Sequence, residues 1–189
     1  MLKASEIFIR NYDAVLSNDS MEAIDNIAEK KNYSKHSLIL ELGQICKSFY
    51  VIDSGLVRLF YYKDGRDVTE HFHKEGEIMY CIESLFLGIP TALQIEAVED
   101  TVLYELDYQK LNELADTNVE IGRMSRHFLE IALVISQWKA DAWRFESAKE
   151  KYLRFLKDYP EAAKRASVAQ IATYLFMTPE ALSRVRADI

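Results

Sequence analysis

Cysteine is scarce: Cys46 and Cys81 are the two in 189 residues. That is too few for a disulfide scaffold, and reduced thiols in a cytoplasm are the expectation. It also excludes a four-cysteine iron–sulfur cluster. No apolar run approaches the ~20 residues of a membrane span, so no membrane partner is expected. The opening MLKASEIFIRNYDAVL spreads charges where a signal peptide would hold an apolar core. Catalytic signatures are missing as well: there is no glycine-rich phosphate loop, no GxSxG and no paired-carboxylate motif. An enzyme is not expected. A positive excess is also lacking, because the net charge is −7. By itself this argues against a nucleic-acid binder. The distribution says more: Ser147 to Ile189 holds eight basic side chains against five acidic ones, so the acidic excess lies in the preceding body.

What is present centres on 118–147. Ile121, Met124, Phe128, Ile131, Ile135, Trp138, Ala142 and Phe145 are spaced alternately by three and four, a heptad seam without proline. A helix of ~28 residues is ~42 Å long. Leu129, Leu133 and Val134 widen the apolar stripe, so one side can pack on the chain's own core while the seam meets a second copy. A long core helix of a monomer is the alternative.

Before it, the first ~32 residues read as helical, with Ser20 as a candidate N-cap of a second helix carrying Met21, Ile24, Ile27 and Ala28. From Tyr33 the pattern changes. Gly43, Gly55, Gly65, Gly76 and Gly88 punctuate short strand-like runs: 37–42, 48–53, 56–62, 67–73, then 92–97 and 102–106. Such runs predict an antiparallel barrel or jelly roll. Asp64-Gly65 is a hairpin signal, because both central positions of a type I′ turn need positive φ. Asp107 can cap a short helix over 108–115, and Pro160 closes or kinks the amphipathic helix that follows Ser147. His71 and His73 share a strand face and form a conceivable metal pair with Cys46 or Cys81, but exposed histidines are the better reading.

The last stretch is SVAQIATYLFMTPEALSRVRADI. Ser167 can cap a helix over 168–175 that points Ile171, Ala172 and Leu175 inward. Thr178-Pro179-Glu180 has the form of a second helix start: a hydroxyl cap, proline at the first position, a carboxylate in the first turn. Leu182 and Val185 face inward, while Glu180, Ser183, Arg184 and Arg186 face outward. Two short helices with a polar second start describe a helix-turn-helix. An ordinary helical hairpin fits this stretch alone about as well.

The order of parts resembles the Crp/Fnr family of bacterial transcription regulators. LILELGQICKSFYVIDSGLVRLFYYKDG resembles the opening strands of the cyclic-nucleotide-binding roll. ESLFLGIPTALQIEAVEDTVLYEL stands where the phosphate-binding cassette would be, and IATYLFMTPEALSRVR is similar to the reading helix. The resemblance implies an α+β chain: an antiparallel β-roll of the cyclic-nucleotide-binding kind (1–117), a long dimerisation helix (118–147) and a helix-turn-helix domain (148–189). It implies a ligand-modulated, cytoplasmic homodimer on a palindromic double-stranded DNA operator, with RNA polymerase as a further partner. The alternative is a sensor or scaffold module of the same architecture without DNA binding.

Three departures shape the expected sites. Thr91 falls where nucleotide-binding relatives place a phosphate-pairing arginine, while Glu77 stands after Gly76 at the ribose position. Cyclic AMP or GMP is therefore not the expected effector, since a buried phosphate without a cation is costly. Phe176 replaces the turn glycine, and a bulky residue at positive φ is strained, which predicts a reshaped turn. The sequence ends at Ile189, so the β-wing of many relatives is not in it. The expected effector site is Gly76, Glu77, Tyr80, Glu83, Ser84 and Thr91. The expected DNA contacts are Thr178, Glu180, Ser183 and Arg184 on the reading helix, with Arg186, Lys164 and Arg165 on phosphates.

Overall fold

The computed structural model describes residues 3–189, with side chains outside 138–145. Two helices, α1 (Ala4–Tyr12) and α2 (Asn18–Ile27), precede the roll. Helix α2 begins earlier than Ser20: Ser17 is its cap, and its hydroxyl accepts from the Ser20 amide. The Ser20 hydroxyl instead donates to Glu120 at 2.6 Å. The helical reading also runs too far. From Ala28 the chain is strand β1 (Ala28–Tyr33), paired antiparallel with β8 (Thr101–Asp107). Its AEKKNY is a charged edge strand, and only the backbone ladder with β8 marks it as β.

The roll is two four-stranded sheets, ordered β1-β8-β3-β6 and β2-β7-β4-β5. The remaining strands are β2 (Leu38–Leu40), β3 (Ser48–Ser54), β4 (Val57–Lys63), β5 (Arg66–His73), β6 (Ile78–Met79) and β7 (Gln94–Ala97). Asp64 and Gly65 close the β4–β5 hairpin at φ 52° and 73°, the two positive values a type I′ turn requires. Gly55 lies at φ 105° against Thr101, where a Cβ would fall 2.8 Å from the Thr101 Cα. Any side chain there must push β8 away.

Inside the roll, Val51, Ile52, Leu59, Ile95, Leu103 and Leu106 are buried. Helix α3 (Ile82–Leu87) lies between β6 and β7, and α4 (Tyr108–Thr117) follows β8 with Asp107 as its cap. The long helix α5 (Val119–Phe145) starts at Asn118, whose side chain accepts from the Glu120 and Ile121 amides. Ile121, Met124 and Phe128 are buried in the roll's core with Ile7 and Phe8 of α1. The first half of the heptad seam is thus used by the chain itself. Among the described residues, the exposed apolar face of α5 is Leu129, Leu133, Val134 and Ile135, with Ile131 half-buried. The side chains of Trp138, Ala142 and Phe145 lie outside the described residues.

Glu120 ties α5 to the N-terminal helices. It accepts from the Ser17 amide, the Ser17 hydroxyl and the Ser20 hydroxyl at 2.6–2.8 Å. The Ser20 and Ser17 donors lower its carboxyl from 4.5 to about 2. A folded-state value below the unfolded one gives stability that is present above pH 4.5 and lost as pH falls toward 2. Glu120→Gln should therefore melt below the wild type at neutral pH. The gap should close on acidification, and a gap that persists at pH 2 would show that this carboxylate's charge is not its source.

The C-terminal helices are α6 (Ala148–Asp158), α7 (Pro160–Arg165), α8 (Val168–Tyr174) and α9 (Pro179–Ala187). Pro160 follows the end of α6 and is itself the first residue of α7, where its missing N–H costs nothing. These helices share a second core with the outer face of the roll: Phe155, Ile171, Tyr174 and Leu182 pack with Leu56, Phe72 and Val98.

Candidate functional site

Helices α8 and α9 form from strong local signals. Ser167 and Gln170 make a reciprocal capping box at the start of α8. Ile171, Ala172 and Leu175 are buried, as is Leu182 of α9. Phe176 joins the two helices at φ 55°, exposed to solvent. The left-handed turn is kept rather than reshaped: the Met177 amide donates to Ala172 O at 2.9 Å and holds it closed. Thr178 caps α9 by accepting from the Ala181 amide at 3.2 Å, with Pro179 at the first position. Thr178, Glu180, Ser183 and Arg184 are exposed, from the cap of α9 to its last turn. Its own backbone amide and the Thr178 hydroxyl hold the Glu180 carboxyl below its usual range.

The basic residues do not all join them. Arg186 is half-buried, its guanidinium 5.5 Å from the Tyr152 ring centre. Lys164 pairs with Glu161 at 3.0 Å. Arg165 turns toward the roll, donating to Glu75 at 2.8 and 3.0 Å and to Glu99 at 3.2 Å. Beside this clasp the Thr69 amide donates to the Thr173 hydroxyl at 3.2 Å, and the Phe72 ring meets Tyr174, Phe155 and Tyr159 at 5.9–6.1 Å.

Against the Thr69 hydroxyl, at 3.0 Å, lies Arg58, a residue sequence reasoning missed. It is buried on the outer face of β4, bound to both oxygens of Asp67 at 2.6 and 2.7 Å and to Glu96 at 2.7 Å. The β4–β5 register skips Glu70, pairing Leu59 with His71 but Phe60 with Thr69. That slip turns Thr69 outward beside Phe72. The available signal was an arginine inside a strand of otherwise apolar residues, which demands carboxylate partners on neighbouring strands.

The expected effector residues divide into two groups. Ser84 is buried, accepting from the Cys46 amide at 2.8 Å and donating to Ile89 O at 2.7 Å. Thr91 is buried, its hydroxyl donating to Leu93 O and accepting from the Leu93 amide, both at 3.0 Å. These hydroxyls are spent within the fold. The neighbouring Cys81 thiol and amide donate to Cys46, lowering the Cys46 thiol to about 7. Glu83 is exposed on α3. Gly76 sits against the Asn11 side chain at φ 83°.

Glu77 and Tyr80, in contrast, line a cavity of about 570 Å³ between the roll, α5 and α6. His71 and His73 line it too, their rings 6.1 Å apart. Among the described residues, no group of three or more His, Cys, Asp or Glu is placed to hold a metal ion. No described helix is long and apolar enough to cross a membrane.

Residues 30–118 match the cyclic nucleotide-binding domain family. Over 183 residues the chain is 24% identical to the regulatory protein HlyX of Actinobacillus pleuropneumoniae, covering 90% of this chain and 75% of HlyX. The chain thus contains a domain similar to the cyclic nucleotide-binding domain family. Solved structures share its fold. FixK2 of Bradyrhizobium japonicum superposes with a TM-score of 0.71 at 22% identity, over 86% of this chain and 84% of that one. A Crp/Fnr-family transcriptional regulator from Eubacterium rectale gives 0.69 at 16%, over 92% and 83%. The chain thus has a roll in which the Ser84 and Thr91 hydroxyls are internally bonded, with its C-terminal helices docked on the roll's outer face.

Proposed function

We propose that this chain is a dimeric, effector-responsive transcription regulator of the cytoplasm that reads double-stranded DNA through α9. The carrying observation is the solvent-facing side of α9, along which Thr178, Glu180, Ser183 and Arg184 are exposed from the cap to the last turn while Leu182 is buried behind. An α-helix so presented fits the major groove, with arginine suited to guanine O6/N7 and glutamate to cytosine N4. The three units are the roll (1–117), the dimer helix (118–147) and the reader (148–189). The dimer forms through Leu129, Leu133 and Ile135, since Ile121, Met124 and Phe128 are engaged by the roll. Ile131, Trp138, Ala142 and Phe145 continue the proposed seam. RNA polymerase is the further partner at a bound promoter.

Selection from a random duplex pool tests this. The expected product is an inverted repeat whose half-sites lie ~34 Å apart, one helical turn. A pool that shows no enrichment at low salt would sink the reading. It would favour a scaffold without DNA binding, a reading supported by the carboxylates that hold Arg165 away from any phosphate.

A further inference from the structure

We propose that the cavity between the roll, α5 and α6 takes an uncharged, largely apolar small molecule. The proposal rests on the effector-responsive reading above and gives that effector its chemical class. The volume of about 570 Å³ falls in the ~300–1,000 Å³ typical of small-molecule sites. Tyr12, Met79 and Phe128 form its base, Ile131 and Ile135 its α5 wall, and Tyr159 its far side. Such a lining rewards flat aromatic or aliphatic surface.

Charge decides the class. Apart from His71 and His73, the charged lining is two carboxylates, Glu77 and Asp158, and one guanidinium, Arg154. That guanidinium is shared with carboxylates: its Nε lies 2.8 and 2.9 Å from the Glu146 oxygens, and its Nη1 lies 3.6 Å from Asp158. An anionic ligand would meet two like charges and a cation already shared with carboxylates, and burial would magnify the penalty. The hydroxyls of Ser84 and Thr91 offer no relief, because both are bonded within the cassette.

Position gives the molecule its effect. Arg154 and Asp158 belong to α6, and Tyr159 follows it directly, so the far wall is part of the reader. A ligand bridging Phe128 and Tyr159 touches sensor and reader together. It favours the docked arrangement to the extent that it binds that arrangement better than the released one.

The test uses two dyes with nearly the same rings. N-phenyl-1-naphthylamine is uncharged, and 1-anilinonaphthalene-8-sulfonate adds one negative charge. On the full-length chain the uncharged dye should brighten saturably at one site per chain and bind roughly tenfold tighter or more. Cyclic AMP should not displace it. Ala132→Trp, which fills the cavity from the α5 wall, should abolish the signal, and the smaller Ala132→Leu should weaken it if tryptophan disturbs folding. Absence of saturable binding overturns the proposal. So does equal or tighter binding of the sulfonate, displacement by cyclic AMP, or undiminished binding by a folded Ala132→Leu and Ala132→Trp pair. No DNA is present in this measurement, so its outcome stands apart from that of the duplex selection.

Discussion

Phe128→Ala should unfold at a lower urea midpoint, with a loss of about 3–5 kcal/mol, while Leu133→Glu should fold normally and sediment as a monomer. The two residues are little more than one helical turn apart on α5, yet they meet different surroundings. The Phe128 ring is buried among Tyr12, Phe49, Tyr80 and Phe8, with ring centres 5.3–6.5 Å away. Removing it leaves a cavity walled by other rings that cannot all move in. Leu133 is 72% exposed in the single chain. A glutamate there costs nothing until a second α5 arrives, when it would be buried against apolar side chains without a partner. Sedimentation velocity and urea melts on both variants separate the two roles. A wild type that is monomeric at micromolar concentration, or a Leu133→Glu that remains dimeric, removes the assigned interface.

Arg184→Ala should cost about 1–3 kcal/mol on the matched operator and relax preference at one base position, with melting temperature unchanged. Arg184 is exposed, as are Glu180 and Ser183 of the same helix. Arg186→Ala should behave differently. Its guanidinium covers Tyr152, so its loss should lower stability by about 0.5–1 kcal/mol and weaken matched and scrambled sites alike. Fluorescence anisotropy on both duplexes across a salt series distinguishes them. If Arg184→Ala weakens matched and scrambled DNA equally, that side chain reads no base, and α9 loses its assignment as the reading helix.

Much of the fold was legible because local chemistry dictated it. Asp64-Gly65 demanded positive φ twice, and Asp107, Ser167 and Thr178 each stood before a periodic apolar run and became caps. The misses have physical causes. β1 is charged and depends on a partner some seventy residues away in sequence, so no periodicity announced it. Heptad spacing states that one face of a helix is apolar and is silent about what covers it, which is why Ile121, Met124 and Phe128 read as dimer seam. Of the expected effector set, Glu77 and Tyr80 reached a common cavity, whereas Ser84 and Thr91 bond only within the fold. Arg165 read as a phosphate contact because charge alone does not reveal Glu75 and Glu99, far off in the chain. Phe176 shows the reverse case: its bulk predicted a reshaped turn, yet the closing hydrogen bond of Met177 sustains the positive φ despite the ring.

Leu56, Phe72 and Val98 belong to the roll by sequence and to the reader by packing. Two modules that share a core in this way lose their thermodynamic independence. Heating should carry both through one calorimetric transition, because neither can open without wetting the other's apolar side chains. A roll severed ahead of α6 would present those three side chains to water, and solubility would become the first casualty of dividing the chain.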